Sequence, residues 1–418
     1  MKFDWKTAVT PISLGDLVEV VIDYRGKTPK KLGGNFTEKG VPVISAIHLK
    51  RGRIIWKERE RFVSPEMFHK WMKEPLRKND VLLTSEAPLG EVALVPSDAA
   101  LVLSQRLFAI RCNPELLDSN FLLYFFQSPL GQNELYRRAS GSTVVGIRHE
   151  ELLNVKIPLL PIEKQKTVGK VLNSIDSKIC TNEILSKTLE DIAQAIFKSW
   201  FIDFDPVRAK MVGEKPAGMD AATAALFPDS MEESELGLVP KGWEVSSPGL
   251  FCPFKYGKAL PAPNRIHGDI PVYGSNGIVG THNLPLLDNS VIVIGRKGTV
   301  GTVNLELSPC WIIDTAFYAR TIESENIYLA FLQLKNLELN KMNSDGAVPG
   351  LNRENVHRLQ FTVATHSVRQ SFASVAKAIF LKRKMLQEQA KNLIEIRDSL
   401  LPRLISGELQ IPEEMTAT

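Results

Sequence analysis

The segment from Ser140 to Ile147 recurs as Ser344 to Leu351, an offset of 204 residues that persists through Glu150 and Glu354, Leu152 and Val356, Val155 and Leu359, and Ile157 and Phe361. Self-similarity at a fixed long spacing restricts a chain to architectures made of duplicated units. The correspondence runs on into two Pro-free stretches, 162–205 and 350–401. There, Val168, Val171, Ile175, Lys178, Asn182, Leu185, Leu189, Ile192 and Ile196 map onto Phe372, Val375, Ile379, Lys382, Leu386, Gln389, Leu393, Ile396 and Leu400. Alternating steps of three and four predict a long helix with a coiled-coil seam in each copy. About 35 residues at 1.5 Å each span ~50 Å, more than a compact domain needs. Two such helices in one chain can pair with each other. The expected seam holds Val171, Ile175, Lys178, Leu189 and Ile192 on the first helix, and Val375, Ile379, Lys382, Leu393 and Ile396 on the second.

A strand-rich segment precedes each helix. Short β-type runs punctuated by Gly and Pro occupy 11–158 and again 241–363. Gly26-Lys27-Thr28 answers Gly257-Lys258-Ala259, and Leu89 to Leu94 answers Val300 to Leu305. Here the offset drifts, so the strand-rich parts carry insertions and the helices do not. The expected fold is α+β: two mixed strand-rich globular domains separated by two long antiparallel coiled-coil helices, as a pseudo-two-fold internal repeat. The expected segments are a first domain at 1–158, a helix at 159–202, a linker at 203–240, a second domain at 241–363, a helix at 364–408 and a tail at 409–418. The linker holds eight acidic and three basic residues and four prolines. It predicts a surface connection with little structure beyond a short helix near Met219 to Ala225.

Composition excludes several classes. With 44% hydrophobic and 23% charged residues, the chain is ordinarily globular. No run of eighteen apolar residues exists, so no membrane span is expected. Cys112, Cys180, Cys252 and Cys310 lie far apart, without metal-ligand or redox spacing, and a reducing cytoplasm is the expected location. There is no phosphate loop, no Gly-x-Gly-x-x-Gly, no Asn- or Asp-Pro-Pro-aromatic motif, no Glu-x-Lys and no His-x-x-x-His. Neither a catalytic residue nor a metal ligand is therefore expected.

Charge and loops remain. Residues 25–61 hold eleven Lys or Arg against three acidic residues. That concentration suits a phosphate-binding surface. Its expected contacts are Lys27, Lys30, Lys31, Lys50, Arg51 and Arg53, with Ser85, Gln105, Arg106, Ser142 and Thr143 on loops of the same domain. In the second domain the counterparts are Lys255, Lys258, Ser275, Asn276, Arg296 and Lys297. Arg296 and Lys297 follow a strand and precede Gly298, which allows close backbone approach. The competing reading of any one of these lysines is a solvated surface charge.

The run Trp200 to Lys210, with Pro216, Ala224 to Ser230, Glu235 to Trp243, Gly90 to Pro96, Ser104 to Arg106 and Leu400 to Leu409, resembles the conserved regions of type I restriction-modification specificity subunits. The resemblance implies a non-catalytic DNA-binding chain whose two target-recognition domains each read half of a split site. The helices would set the spacer and dock two adenine-methylating modification subunits and, through them, restriction subunits. S-adenosylmethionine, ATP and Mg would then belong to those partners. Three alternatives stay open on the residues alone: a specificity subunit of a fused methyltransferase-nuclease system, a DNA enzyme with an unfamiliar active site, and a coiled-coil scaffold.

Overall fold

The computed structural model describes residues 10–56, 60–98, 100–342, 350–409 and 411. Lys57, Glu58 and Arg59 of the basic run, 344–349 of the repeated loop, and most of the 409–418 tail lie outside the described residues. The chain forms two compact units, Met1–Asn182 with Glu388–Thr418, and Glu183–Gln387.

The first unit contains β1 (Pro11–Ser13), β2 (Val18–Asp23), β3 (Val41–Ile44), α1 (Pro65–Trp71), β4 (Val81–Thr84), β5 (Val92–Leu94), β6 (Val102–Leu103), β7 (Leu107–Cys112), α2 (Ser119–Gln127) and β8 (Lys156–Pro158). An antiparallel sheet runs β2-β7-β4-β5. Its central strands are buried on both faces, which is why they read as continuous apolar runs. Strand alternation then divides the core. Val81, Leu83, Phe108 and Ile110 face α2 through Phe121 and Phe125. Leu82, Leu107 and Ala109 face the opposite layer, with Val43, Ile44, Val102 and Trp71. Asp118 caps α2, its Oδ1 accepting from the Phe121 amide at 2.9 Å. β1 pairs with β8 and so ties the beginning of this domain to its end.

One helix, α3 (Ile162–Phe201), belongs half to each unit. In the second unit follow α4 (Asp205–Met211), α5 (Ala221–Ala225), β9 (Met231–Ser234), β10 (Gly237–Pro240), β11 (Glu244–Ser246), β12 (Phe254–Tyr256), β13 (Ile270–Gly274), β14 (Gly277–His282), β15 (Val291–Gly295), β16 (Val303–Glu306), β17 (Ala316–Ala319), α6 (Ile327–Asn336), β18 (Phe361–Val363) and α7 (His366–Ile405). The sheet order β12-β17-β15-β16 follows the pattern of the first unit. Ile292, Ile294, Phe317 and Ala319 face a core with α6, whereas Val291, Val293 and Ala316 face Tyr273 and Ile312. β11 pairs with β18, again joining the ends of the domain.

Within each unit α3 and α7 run antiparallel. In the first, Asp176 meets Arg397 at 2.7 Å and Asn182 meets Gln389 at 3.5 Å. In the second, Glu190 meets Arg383 at 2.7 Å and the Phe201 and Phe372 rings lie 5.0 Å apart. The buried rows correct the expected seam. Val168 and Asn182 lie on a buried row with half-buried Ile175 and Leu189, as expected. The companion row is Gln165, Leu172, Ile179, Ser186, Ala193 and Trp200, one residue beyond the expected one. Val171 is only half-buried, Lys178 is exposed and Ile192 is 44% exposed. On α7 the same correction makes Ala376, Ala390 and Leu404 buried, while Val375, Lys382 and Ile396 are exposed and Ile379 and Leu393 stay half-buried. Two overlapping rows carry similar hydrophobicity. The selected row mixes small Ser186 and Ala193 with large Leu172, Ile179 and Trp200, so hydropathy alone does not single it out.

The expected linker, with little structure beyond a short helix near Met219 to Ala225, contains that helix as α5 but is more ordered than expected. Residues 203–240 contain α4, α5 and the β9-β10 hairpin. Val207 and Phe227 are buried with Trp200, Trp243 and Phe372, and the Trp200 and Phe227 rings stand 5.1 Å apart edge to face. Burying such aromatic surface contributes about 2–3 kcal/mol per side chain, enough to order short helices that would not form alone.

Candidate nucleic-acid interface

In the first unit three loops converge where β2 and β4 end and β7 begins. They line a cleft of about 480 Å³ with Asp23, Arg25, Gly26, Ser85, Glu86, Gln105 and Arg106. The loop backbones hold one another. The Ser85 amide donates to the Arg106 carbonyl at 2.8 Å, and the Ile147 amide donates to the Ser85 carbonyl at 2.9 Å. Arg106 and Ala87 take left-handed conformations, with φ of 67° and 49°. Such backbone in a non-glycine residue costs about 1–3 kcal/mol and gathers at functional sites.

Arg25 is fixed from all sides. Its guanidinium lies 3.9 Å over the Phe108 ring, donates to both Asp23 oxygens at 2.9 and 2.8 Å, and donates to the Ile147 carbonyl at 3.2 Å. Burial pushes the Asp23 carboxyl up, but the Arg25 hydrogen bonds outweigh it and hold the group below the usual carboxylate range. Glu86 and Arg106 form a more exposed pair at 3.1 Å, with side chains 40% and 53% exposed. Exposed pairs are worth about 0–1 kcal/mol, so a ligand can replace either partner at small cost. Gln105 is exposed beside them, whereas Ser85 is 2% exposed and forms part of the wall through its backbone. Ser142 and Thr143 are exposed on the adjoining loop, which Ser140 and Gly146 close by an antiparallel bridge.

The basic run divides on inspection. Lys27 Nζ donates to the Trp71 carbonyl at 2.8 Å and lies 4.2 Å from the Tyr24 ring centre. Lys31 Nζ donates to the Gly26 carbonyl at 3.0 Å. Arg53 donates to the Asp176 carbonyl on α3 at 2.8 Å. These three cations bind their own fold. Lys30, Lys50 and Arg51 are exposed, Arg51 sitting at φ 51° with its amide held by Glu91 at 3.0 Å.

The second unit builds the equivalent loops with different side chains. Arg296 and Lys297 leave β15, and both amides donate to the Thr315 carbonyl, at 3.0 and 3.1 Å. The Leu351 amide donates to the Arg296 carbonyl at 2.9 Å. The Arg296 guanidinium lies 4.8 Å from the Tyr256 ring centre and 5.5 Å from that of Phe317, and donates to the Asp314 carbonyl at 3.1 Å. Arg353 approaches the same Tyr256 ring at 5.3 Å. Attraction to the ring face limits where such a cation can sit. Lys297, Lys255, Lys258 and Asn276 are exposed. Ser275 is half-buried, and its carbonyl accepts from the Thr302 hydroxyl. Sequence reading missed Asp23, Glu86, Tyr256 and Arg353. Only the aromatic partners of β7 and β12, at alternating positions, signal where a cation stacks.

Burial pushes the thiols of Cys112, Cys252 and Cys310 up to about 12, which leaves them unreactive. Among the described residues no helix is long and apolar enough to cross a membrane.

Residues 6–191 and 240–370 match the family described as the type I restriction modification DNA specificity domain. The chain is 24% identical to the type I restriction enzyme MjaIX specificity subunit of Methanocaldococcus jannaschii, over 99% of each chain. It is 25% identical to the HindI specificity subunit of Haemophilus influenzae, over 81% of this chain and 88% of that one. Its fold is similar to the crystal structure of a type I restriction-modification S subunit from M. genitalium, with a TM-score of 0.62 and 17% identity, over 97% and 98% of the two chains. The family match spans well over half of the sequence, and the chain therefore belongs to the type I restriction-modification specificity subunits, which are non-catalytic DNA-recognition chains.

Proposed function

We propose that the protein reads a bipartite double-stranded DNA site, one half through each strand-rich domain, and that the two domains are copies of one internal repeat. The domains are taken as 1–158 and 241–363. Helices α3 and α7 act as a coiled-coil spacer between half-sites and dock two adenine-methyltransferase subunits, which bring restriction subunits with them. S-adenosylmethionine, ATP and Mg are then bound by those partners, and the complex works in the cytoplasm. Lys30, Lys50, Arg51, Lys255 and Lys258 take phosphates, which fix position without reading sequence, and Lys297 approaches base edges. Gln105, Arg106, Ser142, Thr143, Ser275, Asn276 and Arg296 approach base edges. The observation that carries this reading is the matched pair of loop sets at the strand ends, each with a guanidinium beside a strand aromatic, Arg25 at 3.9 Å from the Phe108 ring centre and Arg296 at 4.8 Å from that of Tyr256. The test is to express the chain with its methyltransferase partner and map adenine methylation genome-wide. A motif of two short words separated by a fixed unread gap is expected; methylation at a continuous word would overturn the reading.

A further inference from the structure

The two loop sets can be aligned atom by atom through their backbone hydrogen bonds. The amide after each strand exit binds the carbonyl before the following central strand: Ser85 to Arg106 in the first unit, Arg296 to Thr315 in the second. The strand-exit carbonyl in turn accepts from Ile147 in one unit and Leu351 in the other. The next residue makes an isolated antiparallel bridge in both, Glu86 with Gly146 and Lys297 with Gly350. The tight return is also shared, Gly90 donating to Thr84 and Gly301 donating to Gly295. Glu86 and Lys297 therefore occupy the same place on the same scaffold with opposite charge. Both side chains are solvent-accessible.

Resting on the bipartite reading above, we infer that Glu86 and Lys297 are equivalent specificity-determining residues that read one base pair in each half-site with opposite hydrogen-bond polarity. A carboxylate only accepts, and an ammonium only donates. In the major groove an acceptor faces the amino group of cytosine or adenine, and a donor faces the oxygen or N7 of guanine, the oxygen of thymine or N7 of adenine. Glu86 selects an amino-bearing base, with Arg106 at 3.1 Å orienting its carboxylate until DNA arrives. Lys297 selects an acceptor base. The shared backbone fixes where the side chain reaches, and the side chain alone sets what it accepts there.

The test is selection of bound duplexes from a randomised library by the complex of this chain with its methyltransferase partner, comparing wild type with Glu86→Gln, Glu86→Lys and Lys297→Met. Glu86→Gln should lower discrimination at one position of one half-site by roughly 5- to 100-fold, the range of one good base contact. Glu86→Lys should move that position from an amino-bearing base to an acceptor base. Lys297→Met should relax one position in the other half-site. An intact second word in each variant shows that the protein remains folded. If wild type yields a bipartite site and all three variants yield the same one, or bind every sequence uniformly more weakly, the inference is wrong while the bipartite reading stands. If wild type selects no bipartite site, the bipartite reading itself fails, and the inference with it.

Discussion

Removing Arg397 should be among the costliest polar changes in the first unit. Its Nη1 donates to Asp176 Oδ1 at 2.7 Å, and the Tyr124 hydroxyl donates to Asp176 Oδ2 at 2.9 Å. The two charged side chains are only 18% and 14% exposed. Arg397→Met therefore leaves a largely buried carboxylate held by the Tyr124 hydroxyl, with the Arg53 guanidinium on the Asp176 carbonyl at 2.8 Å as the nearby cation. Breaking a fully buried pair costs about 3–5 kcal/mol, and residual solvent contact here puts the expectation at about 2–3 kcal/mol. For a unit of this size that is a fall in Tm of roughly 5–10 °C. Asp176→Asn should cost less, because Arg397 keeps Asp398 at 2.8 Å. In a double-mutant cycle read by urea denaturation, the coupling should exceed about 1 kcal/mol. Additivity within about 0.5 kcal/mol would refute the claim that this pair fixes the helix register. The second unit offers a control. Fourteen residues along α3 and fourteen back along α7, Glu190 pairs with Arg383 at 2.7 Å and also with Lys335 at 2.6 Å. Arg383→Met leaves Lys335 in place and should cost about half as much as Arg397→Met.

Phe372→Ala should destabilise the second unit by about 3–5 kcal/mol, since its ring packs 5.0 Å from Phe201 and 5.8 Å from Trp200, and Phe372→Leu should cost less than half of that by the same denaturation assay. His357 accepts the Phe254 amide through Nε2 at 2.9 Å, and burial pushes its pKa below the ordinary 6.5. The unfolded chain then takes up the proton first, so stability should be full above about pH 7 and fall as pH drops below ~6.5, until the native site itself protonates; an equally steep fall in His357→Gln would contradict this. Lys30→Ala should reduce the salt dependence of DNA binding by about one unit of slope in titrations at several ionic strengths, whereas Lys27→Ala should mainly lower Tm, because its ammonium is committed to Trp71.

Much of the fold is written in local pattern. The apolar runs around Val81 and Leu107 are strands because they are buried on both faces, and the Pro-free three-four spacing marks both long helices. Two things are not local. The seam depends on which of two overlapping apolar rows faces the partner helix, and Ala193, Ala376 and Ala390 are buried where Ile192, Val375 and Ile396 are exposed. The cleft gathers Asp23, Glu86 and Arg106 from three separated loops, and no spacing rule links them. A charge cluster in sequence also says nothing of direction. Lys27 and Arg53 turn inward to carbonyls of their own unit, while Lys30, only three residues after Lys27, faces solvent. The linker misled because its acidic and proline content hid Val207 and Phe227, which are buried in the Trp200 core with Phe204, Met219 and Met231 packed against it.

The central claim is that each domain reads its own half of one DNA site. Because β11 and β18 pair and close the second domain on itself, the segment between Glu244 and Val363 can be exchanged for that of another specificity subunit without cutting a strand. The most direct measurement is the adenine-methylation motif of the exchanged chain, expressed with its methyltransferase partner. The account predicts one word replaced by the donor's, the other word unchanged and the gap retained. A motif in which both words change, or neither does, would contradict it.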